Sequence, residues 1–163
     1  MRYATIIPND ISNGEGICVS LFTQGCPHHC KGCFNPETWN FDEGKPYTVK
    51  EIDTIIQLIN KNGIQRNFCI LGGEPFAVQN LNMLFHTIKE IRKVYPKIKI
   101  YAWTGYTLKH LQQNALMKLI LNDIDVLIDG PFIEEEKDLS LRLRGSKNQH
   151  IYINKEGKWE LEE

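Results

Sequence analysis

The stretch Ile17-Cys18-Val19-Ser20-Leu21-Phe22-Thr23-Gln24-Gly25-Cys26-Pro27-His28-His29-Cys30-Lys31-Gly32-Cys33 decides the fold. Its first part, Ile17–Thr23, is a β-type run that reads as a strand. It leads directly into three cysteines within eight positions, spaced Cys-x3-Cys-x2-Cys. In parallel α/β proteins the C-terminal ends of the strands are where ligands bind. A strand delivering three thiols at its end therefore suggests both an architecture and a site.

Working outward, the same pattern recurs. An earlier β-type run lies near Tyr3–Ile7. After a polar loop with Gly44, Lys45 and Pro46, Thr48 and Glu51 have capping-box spacing. Val49, Ile52, Ile55, Ile56 and Ile59 then fall on one helical face, and Gly63 marks a stop. Phe68–Leu71 is a short strand ending at Gly72-Gly73-Glu74. Leu81, Leu84, Phe85, Ile88 and Ile91 form the stripe of a helix over 80–95, closed by Pro96. Ile98–Trp103 is a strand ending at Thr104-Gly105-Tyr106. Residues 107–121 read as helical with a break near Asn114, and Ile124–Asp129 is a strand ended by Gly130-Pro131. A charged loop runs to about Asn148. Ile151–Ile153 and Trp159–Leu161 pair as a hairpin across Asn154–Gly157.

This order predicts right-handed crossovers and a mostly parallel sheet in a single domain spanning 1–163. A doubly wound sheet and an incomplete, open β/α barrel both fit; the strands are too few for a complete barrel. Four unusual segments follow strand ends: Gly25-Cys26, Gly72-Gly73-Glu74, Thr104-Gly105-Tyr106 and Asp129-Gly130-Pro131. They are expected to converge on one site.

Bulk composition excludes several classes. The 163 residues are 42% hydrophobic and 24% charged, with 19 basic and 20 acidic side chains and a net charge of −1. That balance gives no reason to expect nucleic acid or an anionic membrane as partner. No segment approaches the roughly 18–20 apolar residues of a membrane span. The start, Met1-Arg2-Tyr3-Ala4-Thr5, lacks the pattern of a secretory signal. A cytoplasmic protein is expected, in which five cysteines do not imply a disulfide framework.

Thiolates bind iron–sulfur clusters, and a [4Fe–4S] cubane normally takes four. Cys26, Cys30 and Cys33 offer three. Cys18 and Cys69 sit inside apolar strand runs and are expected to pack. A cubane on three cysteines leaves one iron open to an outside ligand, as catalysis requires. Gly25, Pro27 and Gly32 suit a tight loop whose amides face sulfur. Two other readings stay open at this point: a Cys30-x-x-Cys33 dithiol, which leaves Cys26 idle, and a zinc site completed by His28 or His29. The carbonyls at Gly72-Gly73 and the Glu74 carboxylate can accept hydrogen bonds from an ammonium group. Arg142, Arg144 and Lys147 read as a solvated loop or as a contact for a carboxylate.

With these residues in place, the chain resembles the radical S-adenosylmethionine superfamily, whose signature is Cys-x3-Cys-x2-Cys after one strand and Gly-Gly-Glu after the next. More narrowly it is similar to the activating proteins of anaerobic ribonucleoside-triphosphate reductase, over nearly the whole chain. That likeness rests on Asp10-x-x-Asn13-Gly14-x-Gly16, Gly25–Asn35, Trp103-Thr104-Gly105-Tyr106, Asp129-Gly130-Pro131-Phe132 and Arg144-Gly145-Ser146-x-Asn148-Gln149. Gly32 departs from the superfamily, where an aromatic residue often precedes the last cysteine; the narrower group has glycine there.

The resemblance implies a [4Fe–4S] cluster on Cys26, Cys30 and Cys33 with S-adenosylmethionine chelating the open iron. It implies that Gly72, Gly73 and Glu74 hold the methionine ammonium. Gly32, Cys33 and Phe34 would lie at the adenine edge, and Thr104 would face the ribose or carboxylate. Reductive cleavage would yield methionine and a 5′-deoxyadenosyl radical, which takes a hydrogen atom from a glycine of the reductase. No protein acid or base is assigned, since hydrogen-atom abstraction needs none. A flavodoxin-like protein would supply the electron. The competing functions are a small radical enzyme acting on a free metabolite and a zinc-stabilised binding module.

Overall fold

The computed structural model describes residues 1–162. Strand β1 (Arg2–Asp10) runs antiparallel to β2 (Cys18–Gln24), and the two-residue β3 (Lys45–Pro46) pairs with the start of β1. Then come helix α1 (Val49–Ile59), β4 (Asn67–Gly72), α2 (Leu81–Val94), β5 (Ile100–Trp103), α3 (Leu108–Gln112), α4 (Ala115–Leu121) and β6 (Val126–Asp129). A terminal hairpin, β7 (His150–Lys155) and β8 (Lys158–Leu161), completes an eight-stranded sheet in the order β3-β1-β2-β4-β5-β6-β7-β8.

Three ladders, β2–β4, β4–β5 and β5–β6, are parallel, and the four on the flanks are antiparallel. The sequence pattern pointed to a mostly parallel sheet, so the antiparallel flanks are a difference. For the β7–β8 pair the cause is connection length. Parallel neighbours need a crossover, which the helices supply; β7 and β8 are joined by a tight turn and can only fold back.

The helices all pack on one side. Along β4, Phe68 and Ile70 join the buried stripes of α1 (Ile52, Ile55, Ile59) and α2 (Leu84, Ile88, Ile91), while Cys69 and Leu71 face the other way. β5 alternates likewise, with Ile100 and Ala102 toward the helices and Tyr101 and Trp103 away. The parallel strands follow one another in chain order, so same-handed crossovers leave every helix on one face. The opposite face holds a smaller cluster, including Cys18, Cys69, Tyr101 and Ile128, covered by loops.

Local signals account for the helix ends. Thr48 and Glu51 form the expected capping box. The break near Asn114 is real: Thr107 caps α3 and Asn114 caps α4. Val49, assigned to the buried face of α1, is 56% exposed. It is the first residue of the helix, where that face has yet to be covered.

The loop after β1 is shaped by Asp10. This carboxylate is buried and accepts from the Ser12 and Asn13 amides (2.8 and 3.3 Å), the Asn13 side chain (2.8 Å) and the Ser20 hydroxyl (2.6 Å). Burial alone raises its pKa; the hydrogen bonds from Ser20, Asn13 and Ser12 outweigh that and hold it below the ordinary 3.8. A carboxyl with a depressed folded pKa stabilises the fold above its unfolded pKa and loses that contribution as pH falls through the folded one. Asp10→Ala is expected to cost about 1–3 kcal/mol in urea unfolding at pH 7. The cost should shrink as pH falls below the unfolded carboxyl's ~3.9 and on through the lower folded pKa, where the buried carboxyl takes up its proton.

Candidate active site

The four strand-end segments do converge. Cys26, Cys30 and Cys33 line a cavity of about 470 Å³ together with Gly72–Glu74, Thr104, Gly105 and Gly130. Ser12, Asn13, Trp39, Phe132 and Gln149 also line it; no motif read from the sequence assigned them there.

At the centre is Glu74, whose side chain is shut off from solvent. Its Oε1 accepts from His28 Nε2 at 2.7 Å and the Gly105 amide at 2.7 Å. Its Oε2 accepts from the Phe76 amide at 2.9 Å, and the Thr104 hydroxyl lies 2.8 Å away. With backbone amides on both oxygens, the carboxylate is the acceptor and His28 Nε2 carries a proton. The main chain adds to the clamp: the Glu74 amide donates to the Gly25 carbonyl (2.8 Å), and the Asn80 side chain donates to the Glu74 carbonyl (2.9 Å). One residue thus fastens the cysteine loop, the end of β4, the end of β5 and the approach to α2.

This arrangement changes two side-chain roles. The Glu74 carboxylate and the Thr104 hydroxyl, both expected to face a ligand, are bonded to each other. What Gly72 and Gly73 present to the cavity is backbone. Close approach explains the small residues: a Cβ on Gly73 would lie 2.4 Å from the Gly25 carbonyl oxygen, and one on Gly105 2.5 Å from the His28 ring.

The cysteine loop is wound by three residues with positive φ, Gly25 (φ 98°), His29 (φ 47°) and Gly32 (φ 76°), each immediately before a cysteine. The His29 ring stacks on Trp39 at 4.6 Å between centroids, which holds a conformation a non-glycine residue rarely adopts. Phe34 lies at the cavity mouth against Phe132, 4.9 Å between centroids. Beyond β6, Asp129 accepts from the Leu108 amide at 2.8 Å and lies 3.0 Å from His150 Nδ1, tying α3 and β7 to that strand end.

The donor set fits an iron–sulfur cubane. All three loop cysteines are free thiols and partly exposed, whereas Cys18 and Cys69 are fully buried in the cluster behind the sheet. The Asn35 amide donates to Cys33 Sγ at 3.3 Å. Burial pushes the Cys26 thiol up; the His28 and His29 amides pull against it, and Glu74 adds to the rise. That thiol therefore stays protonated at neutral pH until a metal takes the proton's place. Among the described residues, no three His, Cys, Asp or Glu side chains are gathered around a point as for a single metal ion. His28 is engaged by Glu74 and His29 by Trp39, so neither completes a compact zinc site. Three thiols and no fourth is the arrangement that leaves a cluster iron open.

Residues 12–152 match a family profile described as a 4Fe–4S single cluster domain. An anaerobic ribonucleoside-triphosphate reductase-activating protein of Pasteurella multocida (strain Pm70) is 41% identical over 153 residues, 93% of this chain and 97% of the relative. The chain belongs to the anaerobic ribonucleoside-triphosphate reductase-activating protein family. Relatives of the same description in Escherichia coli (strain K12) and Enterobacteria phage T4 are 39% and 34% identical, covering 93% and 98% of this chain and 98% of each relative. The family's iron–sulfur domain thus takes in all four strand-end segments.

The clamp makes a stability prediction. Glu74→Ala strands the His28, Gly105 and Phe76 donors in the interior and is expected to lower stability by about 3 kcal/mol or more. Glu74→Gln, which keeps the shape but turns a donor toward donors, is expected to fall between. Chemical denaturation of the three proteins under anaerobic conditions ranks them. Equal stability for Glu74→Ala and wild type would show that the clamp is dispensable.

Proposed function

We propose that this protein activates anaerobic ribonucleoside-triphosphate reductase by generating a glycyl radical on it, using a [4Fe–4S] cluster on Cys26, Cys30 and Cys33 and S-adenosylmethionine. The observation that carries this reading is the three-thiol loop facing a cavity lined by bare backbone at Gly72 and Gly73. The family profile and the relatives' shared description support the cluster and the protein substrate. That description also disfavours a free metabolite as substrate.

In this reading the chain's own residues position and shield. Cys26, Cys30 and Cys33 hold the cluster by three irons. The backbone at Gly72 and Gly73 accepts from the methionine ammonium, and Glu74 with Thr104 holds that backbone in place from behind. Gly32 offers its carbonyl to the adenine edge, with Cys33 and Phe34 alongside. When bound, the cluster and S-adenosylmethionine together supply one-electron cleavage of the sulfonium and a 5′-deoxyadenosyl radical. No side chain is required to move a proton in taking a hydrogen atom from glycine. The electron comes from a flavodoxin-like donor. We read the one-sided winding of the sheet as an open β/α barrel of the radical S-adenosylmethionine type, which leaves room for a protein loop to enter.

The test is anaerobic. Protein reconstituted with iron and sulfide, then supplied with S-adenosylmethionine, a reductant and the reductase, should produce a glycyl radical signal by electron paramagnetic resonance. Cys30→Ala should lose the visible absorbance of the thiolate-ligated cluster and give no radical. A wild-type sample holding an intact cluster that yields none would refute the reading.

A further inference from the structure

The cavity mouth carries an apolar lip that the chemistry inside it does not explain. Leu139 is 78% exposed, Ile11 79% and Phe34 51%. Phe34, Phe132, Leu139 and Leu141 line the cavity, and Ile11 adjoins Ser12, which lines it too. The lip is built from three separate loops: Ile11 follows β1, Phe34 follows β2, and Phe132, Leu139 and Leu141 follow β6. The later loop is otherwise strongly charged, with Glu134-Glu135-Glu136-Lys137-Asp138 just before Leu139. Polar side chains would be favoured at such positions in an isolated protein. Exposed apolar residues around a reactive cavity mark a surface that another molecule covers.

We infer that this lip is the docking surface for the glycine-bearing segment of the reductase, which enters extended with apolar residues flanking the glycine seated on Ile11 and Leu139. The inference rests on the activating function proposed above. Three observations select this occupant. The family's members are named for acting on another protein, so the hydrogen to be removed arrives on a polypeptide. Phe34, Phe132, Leu139 and Leu141 share the cavity wall with the three cysteines, so a backbone reaching those thiols passes along the lip. Arg144, in the same wall, keeps a buried Nε–H without an acceptor, and an extended backbone supplies carbonyls. A glycine at the deepest point lets the backbone reach furthest into the cavity, because it has no side chain to be accommodated.

Binding of the reductase to reconstituted, anaerobic protein tests this directly. Ile11→Asp and Leu139→Asp, both at exposed positions, are each expected to weaken the complex by about tenfold or more. Ile64→Asp serves as control: Ile64 is 51% exposed and precedes β4, at the strand end opposite the cavity. It should bind like wild type. The same samples, given S-adenosylmethionine and dithionite without reductase, should release 5′-deoxyadenosine within about twofold of wild type. Unchanged binding by both lip variants overturns the docking surface, as does an equal loss in the Ile64→Asp control. If no sample, wild type included, releases 5′-deoxyadenosine, the proposed function fails instead, and the binding measurement still judges the lip.

Discussion

The structure of the site depends on one buried carboxylate. Glu74 has no exposed surface, yet its two oxygens are met by an imidazole, a hydroxyl and two amides drawn from three chain segments. A carboxylate without such partners would be costly to bury, and the donors would be equally costly to leave unmet. Each side therefore requires the other. The arrangement locks the cysteine loop onto two neighbouring strand ends without a covalent link, and the turn at 36–39 braces it further by accepting from the Gly25 and Cys26 amides. The loop needs such an anchor, since it is short, irregular and wound by three residues with positive φ.

That clamp also separates the groups that face the cavity from those that stand behind them. A Gly-Gly-Glu sequence at a strand end invites the reading that the acid faces the ligand. Here the acid turns inward and the glycines face the cavity as backbone. The cavity wall is consequently a set of main-chain groups held from behind by side chains. Main-chain groups are positioned by the sheet itself, so they move less than a long side chain would. Glycine at 73 and 105 follows from the same economy of space, because the loops lie closer than a Cβ permits.

The winding of the sheet sets where all this can happen. Parallel strands in chain order, with every helix on one side, bring the C-terminal strand ends together at one edge. The helix-free face is closed by loops around Cys18, Cys69 and Tyr101, and the cavity opens above it. Cysteines inside the strands are thereby packed away while those after β2 stay accessible. The same residue type serves two purposes according to its place relative to the strand end.

Much of this was legible in the sequence. The capping box at Thr48, the break at Asn114, the terminal hairpin and the convergence of four strand-end segments are local or topological consequences of residue pattern. The three-cysteine spacing was equally plain, because it depends on chain positions alone, whereas the partners of His28 and His29, which left a zinc site open, were decided by the fold. Only the tertiary structure decided the rest. The antiparallel β1, which pairs with both β2 and β3, arises from contacts between segments whose own patterns do not name their partners. The partnership of His28 with Glu74, 46 positions apart, and the inward turn of that carboxylate cannot be read from either residue's neighbours. A side chain's hydrogen-bond partners are set by which segments the fold brings within about 3 Å, and sequence pattern governs only the segment in which the side chain sits.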